Sequence, residues 1–195
     1  MVGEREAVSK GNLNMDYIKR QDRKIRKISN KHQRWYRAGS NVWGERYVRE
    51  KRGILTQTRN EKEVRIILKN LPKNCRKILD APCGYGRIAN IFASRGYNVT
   101  GIDINKYFIN VAKKQAVQKD LKVLYFIGDI QKKKLPGKFD AVLNIFTSIG
   151  YLENEEKNEL FIKQLCQYVR PGGRLIVETI NPATLLVNYK STDTI

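Results

Sequence analysis

From residue 77 onward, short apolar runs alternate with stretches whose hydrophobic positions recur every three or four residues. "KILDA" (77 to 81), "YNVTGID" (97 to 103), "KVLYFIGD" (122 to 129), "FDAVLNIF" (139 to 146) and "RLIVETI" (174 to 180) predict five strands. Between them, "RIANIFASRG" (87 to 96), stopped by Gly96, and "NKYFINVAKKQAVQK" (105 to 119), with Asn105 as cap, predict helices. "NEEKNELFIKQLCQYVR" (154 to 170) predicts a third, ended by Pro171-Gly172-Gly173. A further helix, "NEKEVRIILKNL" (60 to 71), precedes the first strand and stops before Pro72. Strands rich in Val, Ile and Leu, separated by amphipathic helices, imply a doubly wound α/β fold: a mostly parallel sheet covered on both faces.

The first part of the chain follows another pattern. Residues 1 to 14 read as disordered. Ile18, Ile25, Ile28 and Trp35 fall on one side of a helix from Asp16 to about Arg37, with Lys and Arg elsewhere on it. "RAGSNVWGERYVREKRG" then reads as a loop-rich link. The expected organisation is a basic N-terminal helical extension or lid over 1–58 and a ligand-binding domain over 59–195. A chain of 195 residues with 41% hydrophobic residues suits one core plus an appendage.

Charge sharpens that division. The net charge is +19, and the first 76 positions hold 21 basic against 8 acidic residues. Such a field attracts phosphates, acidic substrates or anionic surfaces, which makes RNA a candidate partner of the basic N-terminal region. Cys75, Cys83 and Cys166 are odd in number and widely spaced, so neither a disulfide framework nor a metal site is expected. No signal-like segment and no run of about 18 apolar residues is present, so a soluble, cytoplasmic protein without membrane attachment is expected.

Ligands of doubly wound sheets bind beyond the carboxyl ends of the strands. After the first strand, Gly84 and Gly86 allow a tight turn and close approach of a ligand, at the positive end of the next helix. Asp103 ends the second strand, where an acid can accept hydrogen bonds from both ribose hydroxyls, and Asp129 ends the third, beside a possible adenine edge. Gly84, Gly86 and Ala89 would tolerably match a dinucleotide fingerprint. Asp80, however, stands four residues before Gly84 and would repel a diphosphate. It suits a ligand carrying an ammonium and a sulfonium.

These residues carry a family likeness. "ILDAPCGYGR" resembles motif I of the class I S-adenosylmethionine-dependent methyltransferases, in the D-x-P-C-G-x-G-R form of a broad small-molecule-type group. "VTGIDIN", "FIGDI", "FDAVLNIFTSIGY" and "YVRPGGRLIVET" resemble their later motifs, in order, over about residues 60 to 190. The likeness implies a Rossmann-like fold and S-adenosyl-L-methionine as cofactor. Asp80, Ala81, Gly84 and Gly86 would line its methionine side, with Arg87 at the next helix start. Asp103 would hold the ribose with Ile104 on the adenine, Asp129 and Ile130 would address the adenine, and Asn144 and Phe146 would close the pocket near the methyl group. Cys83 reads as a small packing residue.

A sulfonium methyl is already activated, so alignment of a nucleophile is the main task. Tyr151, Thr147 and Ser148 are the candidates for orienting or deprotonating an acceptor. No N-P-P-Y-like turn or Pro-Cys nucleophile follows the fourth strand, which disfavours base methylation of those types. The expected function is methyl transfer to a small molecule. The alternatives are RNA methylation through the basic arm, or a noncatalytic or incomplete cofactor-binding subunit. The family's sheet has two further strands after "RLIVETI", and without them the fifth strand would be an edge open to self-association. "NPATLLVNYK" predicts the start of another helix with Asn181 as cap and Pro182 in its first turn.

Overall fold

Local sequence signals set most of the elements. The computed structural model describes residues 44–146, 148–150, 152, 154–181 and 183, with the backbone alone for 52–54. All belong to one compact unit, Trp35–Ile195. The expected disorder over 1 to 14 and the helix from Asp16 to Arg37 lie outside the described residues, as do Thr147, Tyr151 and Pro182. Two helices come first, α1 (Glu45–Ile54) and α2 (Gln57–Asn70). They lead into β1 (Lys77–Asp80), α3 (Arg87–Ser94), β2 (Asn98–Asp103), α4 (Lys106–Gln118) and β3 (Val123–Ile127). β4 (Phe139–Asn144), α5 (Glu155–Tyr168) and β5 (Val169–Val177) complete the series.

Caps decide where the helices begin. The Thr56 side chain accepts from Arg59 N–H at the start of α2, and the Asn105 side chain accepts from Tyr107 and Phe108 N–H at the start of α4. Asn154 does the same for α5, accepting from Lys157 N–H. Asn181 Oδ1 likewise accepts from Ala183 N–H at 3.0 Å, the turn expected there.

Among the described residues the strands form one parallel sheet in the order β3-β2-β1-β4-β5. The order reverses between β1 and β4, and a crevice opens at that switch, above the carboxyl ends of the strands. α2, α3 and α4 cover one face, where Phe92, Ile109 and Ile78 are buried. α5 covers the other, against Leu79, Val142 and Ile102. Each such side chain contributes about 1.5–3 kcal/mol by leaving water, so this two-sided burial dominates stability. The edge strands are less covered: Leu124 on β3 is 62% exposed and Val177 on β5 39%.

Two expectations are corrected. Most of helix α1 falls in the segment read as a loop-rich link, because Val48 and the C-cap Leu55, seven residues apart, are both buried and give an otherwise charged segment a packed side. Helix α5 ends at Tyr168, and β5 already begins at Val169, with Pro171-Gly172-Gly173 inside it. The pairing shifts there, from Phe139 opposite Val169 to Ala141 opposite Arg174, so the Pro-Gly-Gly run forms an irregularity in the strand.

Candidate functional site

The turn after β1 is built in two halves. At Gly84 (φ +54) a Cβ would meet nothing within 4 Å, and this residue faces an open cavity. At Gly86 (φ +79) a Cβ would stand 2.4 Å from the Tyr125 hydroxyl and 2.8 Å from Ala112 Cβ. The second glycine therefore yields space to the protein, not to a ligand. Tyr125 lies behind the loop, and its hydroxyl donates to Asn90 Oδ1 at 2.9 Å. Gly86 is also the left-handed N-cap of α3, a conformation for which glycine has no steric penalty.

The cavity holds about 240 Å³ and is lined from the ends of β1, β2, β3 and β4. Asp80, Gly84, Arg87, Asp103 and Ile104 face it, as do Asp129, Ile130, Phe146 and Ser148. The three acids expected to meet at one rim do so. Ala81, Gly86 and Asn144 are not part of the lining: Ala81 and Asn144 are fully buried, with Asn144 Nδ2 donating to Ala81 O at 2.8 Å. Asn144 thereby ties β4 to the segment leaving β1. Cys83 lines the cavity but is buried, and its thiol is pushed well above the usual range by burial and by Asp80 and Asp103, which suits packing and not nucleophilic attack.

Each acid is held differently. Asp103 Oδ2 accepts from Gly84 N–H and Oδ1 from Asn105 N–H, both at 2.8 Å. Each oxygen keeps further accepting capacity, which a pair of vicinal hydroxyls would use. Burial raises the Asp103 carboxyl above its ordinary value, and those two N–H groups oppose the rise. Asp80 is 2% exposed, and burial pushes it up to about 7, with Arg87 opposing and Asp103 adding to the shift. Asp129 Oδ1 accepts from Gln131 N–H at 2.9 Å, and its carbonyl accepts from Lys132 and Lys133 N–H.

One cation faces these acids. Arg87 Nη1 donates to Asn60 Oδ1 at 2.8 Å and to Glu63 Oε2, both on α2, and its guanidinium lies 5.5 Å from the centre of the Phe146 ring. Phe146 stands at φ +68, unusual for a bulky residue, and its N–H donates to Glu178 Oε2 at 2.7 Å just beyond β5.

An aromatic side was missed in the sequence. Phe108 packs against Tyr47 at 5.6 Å and Tyr85 at 6.0 Å between ring centres, and all three line the cavity with Leu55. The signal existed in Tyr47, Lys51 and Leu55 at helical spacing, the first two inside the segment read as a link and the third just past it. Tyr125 and the α2 pair Asn60 and Glu63 left no local signal of a role here, because the partners that tie them to the site, Asn90 and Arg87, are distant in sequence.

A parallel sheet of this order, covered by helices on both faces, is that of the Rossmann-like class I methyltransferase fold. Residues 78–173 match the methyltransferase domain family. The chain is 37% identical over 105 residues to a ubiquinone biosynthesis O-methyltransferase of Rickettsia typhi, covering 54% of this chain and 41% of that protein. It is 34% identical over 119 residues to the mitochondrial ubiquinone biosynthesis O-methyltransferase of Schizosaccharomyces pombe, covering 58% and 42%. The chain thus spans less than half the length of these curated relatives. Its fold is similar to CalS10, an amino pentose methyltransferase of Micromonospora echinaspora solved with S-adenosylmethionine bound (TM-score 0.59, 24% identity, covering 71% of this chain and 58% of that one). It is also similar to a Pyrococcus horikoshii protein (TM-score 0.56, 24% identity, 80% and 66%).

Proposed function

We propose that the cavity binds S-adenosylmethionine and that the protein transfers its methyl group to a small molecule. The observation that carries this reading is the convergence of Asp80, Asp103 and Asp129 on one cavity together with the open face of Gly84. Asp103 would take the ribose hydroxyls, Ile104 and Ile130 would flank the adenine with Asp129 at its edge, and Asp80 would meet the cationic methionine end. The family match and the small-molecule methyltransferases among the relatives support the assignment.

The cofactor supplies an activated methyl group. The chain's own work is to bind it, exclude water and hold an acceptor in line, a positioning effect that can account for about 7–11 kcal/mol of a barrier. Phe146, Ser148, Leu152 and Phe161 form a largely apolar part of the lining, fitted to an acceptor with an apolar body. Thr147 and Tyr151 remain our candidates for orienting its nucleophile. No helix among the described residues is long and apolar enough to cross a membrane. Cys75, Cys83 and Cys166 are all free, which fits a cytoplasmic setting.

Calorimetric titration tests the assignment. S-adenosylhomocysteine is expected to bind in the micromolar range and NAD not at all, with Asp103→Ala weakening the former at least about tenfold. Binding of NAD alone would overturn the reading.

A further inference from the structure

Arg87 presents a chemical difficulty for the proposed cofactor. Its side chain is 9% exposed and lines the same cavity that would receive a sulfonium. A buried guanidinium without a counterion would repel a second cation, and in a site shielded from water that repulsion is strong. Asp80, Asp103 and Asp129 face Arg87 across the cavity, but its direct ion pair lies outside the lining. Glu63, on α2, is 16% exposed, pairs with Arg87, and faces the neighbouring groove between α2 and β5 instead of the cavity. Asn60 fixes the guanidinium without altering its charge. Arg59, 46% exposed, also reaches Glu63 at 3.1 Å, so a single carboxylate serves one buried and one solvated guanidinium.

We infer that Glu63 is a positioning residue that neutralises Arg87 and thereby lets the cavity accept the sulfonium cofactor instead of favouring its uncharged thioether product. The inference rests on the assignment of the cavity to S-adenosylmethionine. It goes beyond that assignment by naming a residue, remote from the lining, that sets the balance between cofactor and product. The two ligands share adenosine and amino acid parts and differ by one methyl and one unit of charge. Contacts to the shared parts act on both alike, so the change in the affinity ratio on substituting a residue that does not touch the methyl reports the electrostatic contribution. Asp80, Asp103 and Asp129 also face the cavity and are unsubstituted in the variants below; because Arg87 opposes the rise of Asp80, the titrations are run well above pH 7 to keep that carboxyl ionised.

The experiment is calorimetric titration of the full chain with S-adenosylmethionine and, separately, S-adenosylhomocysteine. Glu63→Gln keeps the size and removes the charge, with its one amide oxygen left to accept from Arg87 and the Arg59 contact given up. It is expected to shift the affinity ratio toward S-adenosylhomocysteine by about fivefold, the order expected of one uncompensated charge under partial screening. Arg87→Met is expected to shift the ratio the other way, whatever it does to either affinity alone. A purely structural role would weaken both ligands together and leave the ratio unmoved. Variants that bind both ligands with the wild-type ratio would overturn the inference while leaving the cofactor assignment standing. Failure of the wild type to bind either ligand would overturn both. Should Glu63→Gln not fold, Arg87→Met decides: a ratio moved toward S-adenosylmethionine supports the inference, and an unmoved ratio overturns it.

Discussion

Asp140 and Asp80 sit on neighbouring strands of one sheet, yet they face opposite rims and opposite electrostatics. Near the start of β4, Asp140 accepts from Arg76 N–H at 2.6 Å and Lys77 N–H at 2.7 Å, and pairs with Arg170. Burial pushes its carboxyl up, but those donors more than offset this and hold it below the ordinary range. At the carboxyl end of β1, Asp80 is buried with incomplete compensation and is pushed up to about 7. One rim has its charge matched by the fold itself. The other leaves a carboxyl in want of a cation, as binding sites do.

The strongest challenge to this division lies on the binding rim. Gly86→Ala would force a Cβ against Tyr125 at φ +79, and a loss of about 3 kcal/mol is expected in urea denaturation. Adding Tyr125→Phe should recover part of that loss. A full effect shows that half of the glycine turn serves the fold, and a negligible one would contradict the division of labour between Gly84 and Gly86.

Next in size is Asp140→Ala, which strips two backbone N–H groups and Arg170 of their acceptor. A destabilisation of about 2 kcal/mol is expected, with S-adenosylhomocysteine affinity unchanged once the protein is folded. The pH dependence should match. Asp140 is lowered, so its stabilisation is present above the unfolded carboxyl value of about 4 and is lost as pH falls through its folded value.

Asp80 predicts the reverse slope. Its folded value of about 7 exceeds the unfolded one, so the ligand-free fold holds a proton that the unfolded chain has released. Stability therefore falls as pH rises from about 4 to about 7, by at most about 1.4 kcal/mol per unit. Affinity for the ammonium-bearing S-adenosylhomocysteine should in turn weaken as pH drops below about 7, by up to about tenfold per unit. Asp80→Asn should bind more weakly and abolish that pH dependence, which titration at pH 6, 7 and 8 would read.

What could be read in advance follows the range of the interactions. Asn105 and Asn154 cap helices through residues two or three positions away, so those starts were legible. The acids Asp80 and Asp103 were legible because they are the last residues of apolar runs. The beginning of β5 was not, because Pro-Gly-Gly ordinarily stops a helix, and here pairing with β4 carries the strand through it. Helix α1 was hidden by its charge, since its buried side depends on a distant body. The two glycines of the turn looked equivalent, and Tyr125 and Ala112, both distant in sequence, tell them apart.

Phe146 brings several of these constraints together at the cavity mouth. Its backbone is confined to a left-handed setting, its amide is tied to Glu178, and its ring lies under Arg87. A residue pinned at three points is a preformed template that does not mould itself to a guest. Under the proposed methyl transfer, selectivity at this part of the cavity would work by exclusion, turning away molecules of the wrong outline.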